Sequence, residues 1–462
     1  MYGGLLACVS WPGTAACRTV RGNDLLAAAK RGERAATIRL AAFPLGYGIT
    51  GALAGGTLNR IMVAELGLPL TLVGFLFALP LLEAPLRVWL GYRSDGYPVF
   101  GRRREPYIVA GSLCAGLGLF AAVLLMTSNA GGAALTAGLV LAFVVYGFGR
   151  NLGHNVFQAL VADRFAGSAR SRALTLYEVA TMLGLVAGAG GLGTLLRDYT
   201  PAKLVAATAV AVTVAFVLTL FAALRQERRS QGALRAAAQA RETPILAALS
   251  GFLLGDPQVR RFFVLIVCTF VGTLAQDVLL EPYGALVLGM TVSETTRLTA
   301  WWGGGVLLSM LLSGGLLLRV VGHLVLLRVG LLVTVAVFAG VIAAGLAGSP
   351  GAFRALVAVM GLGTGLAGAG LLGGIATFAT AVRAGLLMGV WGMASLFGKA
   401  AGSLMGGAVV DAVRFATGDN FLAYATVFAG EAVLLAVAFV LTFRLRVEAS
   451  RASREAEVAP PG

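Results

Sequence analysis

Long runs of apolar residues alternate with short polar breaks along nearly the whole chain. Taken in order, they cover 39–62, 68–90, 106–127, 133–160, 173–196 and 202–224, then 262–288, 296–318, 323–347, 353–380, 385–410 and 420–443. Each reaches the roughly 20 residues that an α-helix needs to cross the hydrocarbon core of a bilayer. The pattern predicts an all-α, multi-spanning membrane protein with twelve transmembrane helices. Between the sixth and seventh runs lies Arg225–Arg261, a basic, Ala-rich stretch with a turn signal at Gly255-Asp256-Pro257. The chain therefore divides into a basic tail (1–38), a six-helix half (39–224), a linker (225–261), a second six-helix half (262–445) and a short disordered tail (446–462).

Composition strengthens this picture. Hydrophobic residues make up 58% of the 462 and charged residues only 12%, more apolar sequence than a soluble core absorbs. The 64 glycines follow no collagen period and suit close helix packing in a membrane. A net charge of +15 raises nucleic acid as a partner, but the basic residues sit at helix ends, which is membrane topology rather than a phosphate-binding face. Of the 36 Lys and Arg, 27 fall in the tails, the linker and the loops on that same side. Six fall in the opposite loops, and Arg87, Arg150 and Lys399 lie inside the apolar runs. This excess places both termini and the linker in the cytoplasm. No signal-peptide core precedes the first run. Cys8, Cys17, Cys114 and Cys268 have neither metal spacing nor a disulfide framework.

Polar residues inside apolar runs carry the candidate chemistry, because a charge at bilayer depth normally faces protein or water. The seventh run contains Gln276-Asp-Val-Leu-Leu-Glu-Pro-Tyr-Gly284, in which Asp277 and Glu281 are one helical turn apart and Pro282 is expected to disturb the helix end. An earlier stretch echoes it: Gly56-Thr57-Leu58 leads to Glu65 as Gly272-Thr273-Leu274 leads to Glu281. Such an echo between the first runs of two halves is what a duplicated transporter fold leaves behind. Gln276, Asp277, Glu281 and Tyr283, with Glu65 and Arg60 across the pseudo-symmetry axis, are candidate pigment- or substrate-binding residues. A polar pair that merely anchors helices is the plainer alternative.

The fourth run places Arg150, His154 and Gln158 at i, i+4 and i+8, a stripe that must face the interior or a cavity. His154 could ligate a chlorophyll magnesium, carry a proton, or simply be a satisfied structural histidine. Glu83 and Arg87 are one turn apart, Lys399 and Glu431 fall near mid-depth of the last two runs, and Glu178 could serve Arg150; all are candidate intramembrane ion pairs. Two G-x-G-x-x-G matches, Gly188–Gly193 and Gly363–Gly368, follow no strand, so nucleotide binding is rejected in favour of close helix contacts. Gly398, Gly402 and Gly406 read the same way. No nucleophile elbow, P-loop or zinc motif is present, so neither catalysis nor ATP-driven transport is expected.

Six helices, a basic linker and six more resemble the plan of the major facilitator superfamily. Gly91-Tyr-Arg-Ser-Asp95 followed by Gly101-Arg-Arg-Arg104 resembles its loop signature, with extra residues between. That makes Asp95, Arg102, Arg103 and Arg104 a candidate cytoplasmic gate loop, or else an anchor for anionic lipid heads. Within the superfamily, Gly56–Leu66, Ala78–Leu82, Ala84-Pro85, Gly91–Asp95, Arg103–Tyr107, Gln276–Gly284 and Gly389-Val-Trp-Gly392 resemble the PucC family, its bacteriochlorophyll-delivery branch. Glu83 departs from that pattern, standing where an apolar or aromatic residue is usual.

The resemblance implies an assembly factor for light-harvesting antenna complexes, sited in the bacterial inner (photosynthetic) membrane. Bacteriochlorophyll is implied as a transient ligand. Antenna polypeptides, pigment-synthesis enzymes and membrane lipids are the implied partners. A proton-coupled transporter of a small amphipathic solute, using Asp277, Glu281 or Glu431, is the alternative that the fold alone also supports. The charge partition predicts that reporter fusions after Thr200 and after Gly232 report opposite sides of the membrane. Reporters on the same side would break the topology.

Overall fold

The computed structural model describes residues 38–226 and 257–444, except 84–85, 87–88, 91–92, 95–96, 129–130, 166, 314–316, 318–319 and 379–383. Side chains at 162–163, 167–172, 174–175, 257–260, 262–263, 274–275, 277, 373, 375–378 and 384–393 are also outside the description. Both tails, most of the linker, Arg87, Asp95 and the Asp277 side chain therefore lie outside the described residues.

Helices make up the first half in the order α1 (Ala42–Ala52), α2 (Leu70–Leu82), α3 (Glu105–Thr127), α4 (Gly132–Arg164), α5 (Gly167–Leu195) and α6 (Pro201–Ala223). The second half runs α7 (Pro257–Leu274), α8 (Leu280–Leu286), α9 (Val292–Leu312), α10 (His323–Leu346), α11 (Pro350–Phe378), α12 (Ala384–Thr417) and α13 (Asn420–Thr442). Eight of the described helices are long and apolar enough to cross a membrane. Among the described residues the only strand-like pairing is one isolated bridge, Val99 with Arg102, in the turn before α3.

Helix starts follow local chemistry. Thr200 caps α6 by accepting from the Lys203 amide, with Pro201 directly behind it. Thr291 and Glu294 form a reciprocal capping box at α9, and the hydrogen bond from the Thr291 backbone holds the Glu294 carboxyl below its ordinary range. Asp419 caps α13.

The two halves repeat one packing scheme. In the first, α1 packs on α5 and α6, and α3 on α4 and α6; in the second, α7 packs on α12 and α13, and α10 on α11 and α13. Across the halves, α2 meets α12 and α5 meets α9, again as an equivalent pair. Small residues set these distances. A Cβ on Gly111 of α3 would lie 2.8 Å from the Gly149 carbonyl of α4, and one on Gly330 of α10 would lie 2.7 Å from the Gly363 carbonyl of α11. Backbones this close leave no room for a side chain, and in lipid that contact replaces the missing hydrophobic drive between helices.

The glycine-rich stretch Gly188–Gly193 is tight at its ends only. A Cβ on Gly188 would sit 2.8 Å from Ile49 Cα of α1, whereas Gly190 and Gly191 face open space. Gly188→Val should therefore lower the melting temperature of the solubilised protein, with overpacking of about 1–3 kcal/mol, and Gly190→Val should leave it unchanged. Equal melting of the two variants would remove the α1–α5 contact from this account.

Candidate functional site

The first helix of each half loses regular α geometry at its far end. After Ala52 the chain loosens into π-helical turns at Leu53–Leu58 and Ile61–Glu65. After Leu274 it tightens into a 3-10 turn at Ala275–Val278 before restarting at Leu280. Such departures inside helices often mark functional sites, because they redirect side chains and free backbone groups. The second break corrects an expectation from the sequence. Asp277 and Glu281 do not share one continuous helix face, since the helix interrupts between them at Leu279. The disturbance expected from Pro282 falls four residues before it, where the 3-10 turn ends at Val278. Pro282 itself sits in the first turn of α8, where the missing N–H has no intrahelical acceptor to lose.

Glu281 is thereby turned between the halves. Its carboxylate accepts from Thr299 Oγ1 of α9 at 2.8 Å and, more distantly, from Asn59 Nδ2 of the first half at 3.4 Å. Asn59 is fully buried and Glu281 nearly so. Thr57 and Thr296 hydroxyls meet beside them at 3.2 Å. Gly56 makes the approach possible, since a Cβ there would lie 3.2 Å from Thr299 Cβ.

Next to this cluster, between the halves, is a cavity of about 250 Å³. Gln276 and Glu281 line it from one side, and Arg150 and Lys399 bring positive charge to it. Tyr47, Phe77, Tyr146 and Trp302 supply aromatic wall. Arg150 lies 3.8 Å from the centre of the Tyr47 ring and donates to the Tyr146 hydroxyl at 2.9 Å. A guanidinium over an aromatic face is an attractive cation–π pair.

Several sequence candidates fall elsewhere. Tyr283 is a core residue of the second half, donating to the Val341 carbonyl at 3.1 Å and packed edge-on against Phe353, Tyr424 and Phe428. Glu65 pairs with Arg60, away from the cavity lining, with the Glu65 side chain 40% exposed. His154 is not part of the lining: it stacks on Tyr47 and shares a hydrogen bond through Nδ1 with the Tyr177 hydroxyl. Gln158 is half-buried one turn further along α4. Glu178 is exposed and does not partner Arg150, whose described contacts are aromatic. Glu83 packs against Gly147 of α4, while Lys399 borders the cavity and Glu431 lies buried on α13.

Residues with no sequence signal complete the arrangement. Asp411 of α12 accepts from the amides of Leu70 and Thr71, at 3.1 and 2.7 Å, and from Thr71 Oγ1 at 2.6 Å, so it caps α2 from the opposite half. Ser293 Oγ donates to the Gly193 carbonyl at 2.5 Å, joining α9 to the end of α5. Both links lie at the end of the bundle that carries Glu281. At the other end, buried Glu105 pairs with Arg102 and accepts from the Gln226 amide at 2.7 Å, tying the loop before α3 to the start of the linker. Arg104 donates to Ser94 at 2.8 Å, and Arg103 is half-buried beside it. Asp95, expected to hold this cluster, is outside the described residues; Glu105 is the acid that the structure places there.

Two helical halves with equivalent packing, meeting through α2–α12 and α5–α9 around a cavity, define a facilitator-type fold. Solved structures with this fold include the nucleoside transporter NupG (TM-score 0.67, 15% identity, 88% of this chain and 100% of that one). A proton-dependent oligopeptide transporter structure has a TM-score of 0.64 at 17% identity, over 89% of this chain and 98% of that one. The model of the family described as PUCC protein matches residues 57–450, and the chain belongs to that family. Relatives include Protein PucC of Rhodobacter capsulatus, 32% identical over 88% of this chain and 91% of the relative. An uncharacterized protein encoded in the puhA-bchM intergenic region of Rhodobacter capsulatus is 35% identical over 83% of this chain and 82% of that one. A further Rhodobacter capsulatus relative, named bacteriochlorophyll synthase 44.5 kDa chain, is 32% identical over 87% of this chain and 93% of its own length.

The cap across the halves is open to test. Removing an N-cap acceptor costs about 0.5–2 kcal/mol, so Asp411→Ala should lower the melting temperature and speed hydrogen exchange at the amides of Leu70 and Thr71. Unchanged exchange there would dismiss Asp411 as the cap of α2.

Proposed function

We propose that this chain assists the assembly of light-harvesting antenna complexes in the photosynthetic membrane of a bacterium. It does so as a binding protein rather than an enzyme, with antenna polypeptides as its partners and bacteriochlorophyll as the pigment they receive. The observation that carries this reading is the family match over residues 57–450, together with relatives named PucC that align with more than four-fifths of the chain. Pigment-synthesis enzymes and the surrounding lipids are further partners on this reading. The charge partition puts both termini in the cytoplasm.

The cavity constrains where pigment is handled. At about 250 Å³ it is smaller than the roughly 300–1,000 Å³ pockets that enclose drug-sized ligands, and a bacteriochlorophyll macrocycle with its tail is larger still. His154, the histidine considered as a magnesium ligand, stands behind Tyr47 with Nδ1 engaged by Tyr177. On this proposal the pigment is not held as cargo inside the cavity. Pigment contact in this proposal takes place on the lipid-facing helix surfaces.

A second reading, transport of a small amphipathic solute, draws support from one feature: a cavity with a largely apolar lining beside a hydrogen bond that crosses the halves, from Asn59 to the Glu281 carboxylate. Affinity purification from the native membrane, with pigment extraction and identification of co-purifying polypeptides, separates the two. Antenna polypeptides in the eluate support assembly, whereas proton-gradient-dependent uptake by pigment-free vesicles without such partners supports transport. Glu281→Gln should lower antenna absorbance several-fold at unchanged protein abundance. Full antenna absorbance would remove Glu281 from the functional site.

A further inference from the structure

The cavity that is too small for pigment is nevertheless built for a ligand. Gln276 is completely buried and lines it, yet neither its amide nitrogen nor its carbonyl oxygen has a hydrogen-bond partner among the described residues. Trp302 Nε1 and Ser403 Oγ line the same space and are likewise unpartnered. Leaving a buried polar group unsatisfied costs about 1–3 kcal/mol, so several around one cavity need an explanation. Most of them offer protons: the Gln276 amide, the Trp302 indole and the Ser403 hydroxyl are joined by the Arg150 guanidinium. The acid of the cavity, Glu281, already accepts from Thr299 and Asn59. Arg150 is met by the Tyr47 face and the Tyr146 hydroxyl, with no carboxylate among its described contacts.

From this chemistry we infer that the cavity binds a small amphiphile carrying a carboxylate, its oxygens received by Arg150, Gln276, Trp302 and Ser403. The apolar body lies against Tyr47 and Phe77. Charge sets the sign of the ligand: an anion completes a buried guanidinium whose described partners are all uncharged, whereas a cation would be repelled by it. A planar guanidinium suits a carboxylate, to which it can donate two parallel hydrogen bonds. Volume sets the size, which is that of a fragment rather than of a macrocycle. The inference goes beyond antenna assembly, and concerns the cavity alone.

Isothermal titration of the purified full chain in detergent tests it, using 4-phenylbutyrate, 4-phenylbutanol and 4-phenylbutylamine as matched probes. The carboxylate should bind saturably and at least tenfold more tightly than the alcohol or the amine. Gln276→Leu should weaken carboxylate binding severalfold while holding or raising the melting temperature, because it replaces an unsatisfied amide with an apolar side chain of similar size. Arg150→Met should abolish the preference for the carboxylate; if that variant fails to fold, Gln276→Leu still decides. Equal binding of the three probes, no saturable binding of the carboxylate, or binding unchanged by Gln276→Leu would each overturn the inference. Antenna yield in cells is scored separately, so a cavity that rejects carboxylates leaves the assembly reading to stand or fall on its own.

Discussion

Carboxylates shared between the two halves hold this molecule in its observed arrangement. In hydrocarbon a charge or a backbone amide must find its partner within the protein. Asp411 meets that demand by receiving the first amides of α2 from across the interface, and Glu281 by receiving Thr299 from its own half and Asn59 from the other. The bonds to Asp411, and the one from Asn59 to Glu281, cross from one half to the other. The result is directional. These links gather at the end of the bundle where the first helix of each half breaks.

Close backbone approach and local irregularity work together around those links. Glycines let α3 and α4, and likewise α10 and α11, touch backbone to backbone, which makes each half a firm unit. The helices that line the cavity are less regular. The π-helical turns of the first half and the 3-10 turn of the second rotate Asn59 and Glu281 toward one another. A pair of unbroken helices would send those side chains elsewhere, because a helix repeats its faces every 3.6 residues. Rigid supports with a redirected segment between them are the arrangement in which a polar site survives at bilayer depth.

The cavity is cationic and aromatic, and the aromatic rings do more than fill space. Tyr47 connects two neighbourhoods: one face carries Arg150 at the cavity, while its stack with His154 leads to Tyr177 and Phe157. Arg150 thus keeps its charge in an apolar setting through a ring quadrupole and a phenol instead of an acid. At the opposite end of the bundle, Glu105 ties the loop before α3 to the residue that opens the linker. The connection between the halves therefore begins at an anchored point.

Much was determined by sequence alone. Apolar runs long enough to span, small residues in step with helix contacts, and a family pattern running from Gly56 to Gly392 are local properties, and local chemistry carries them into the fold. Gln276 and Glu281 were also legible, since polar groups inside an apolar run must face something polar. Tertiary structure decided the rest. Tyr283, four residues from a break, turned into an aromatic core; Glu65 closed on Arg60; His154 packed behind Tyr47. Asp411 reads as an ordinary charge at a helix end until α2, 340 residues away, is brought beside it. The physical reason is that a sequence records which groups require partners, whereas the packing of distant helices determines which partners they meet.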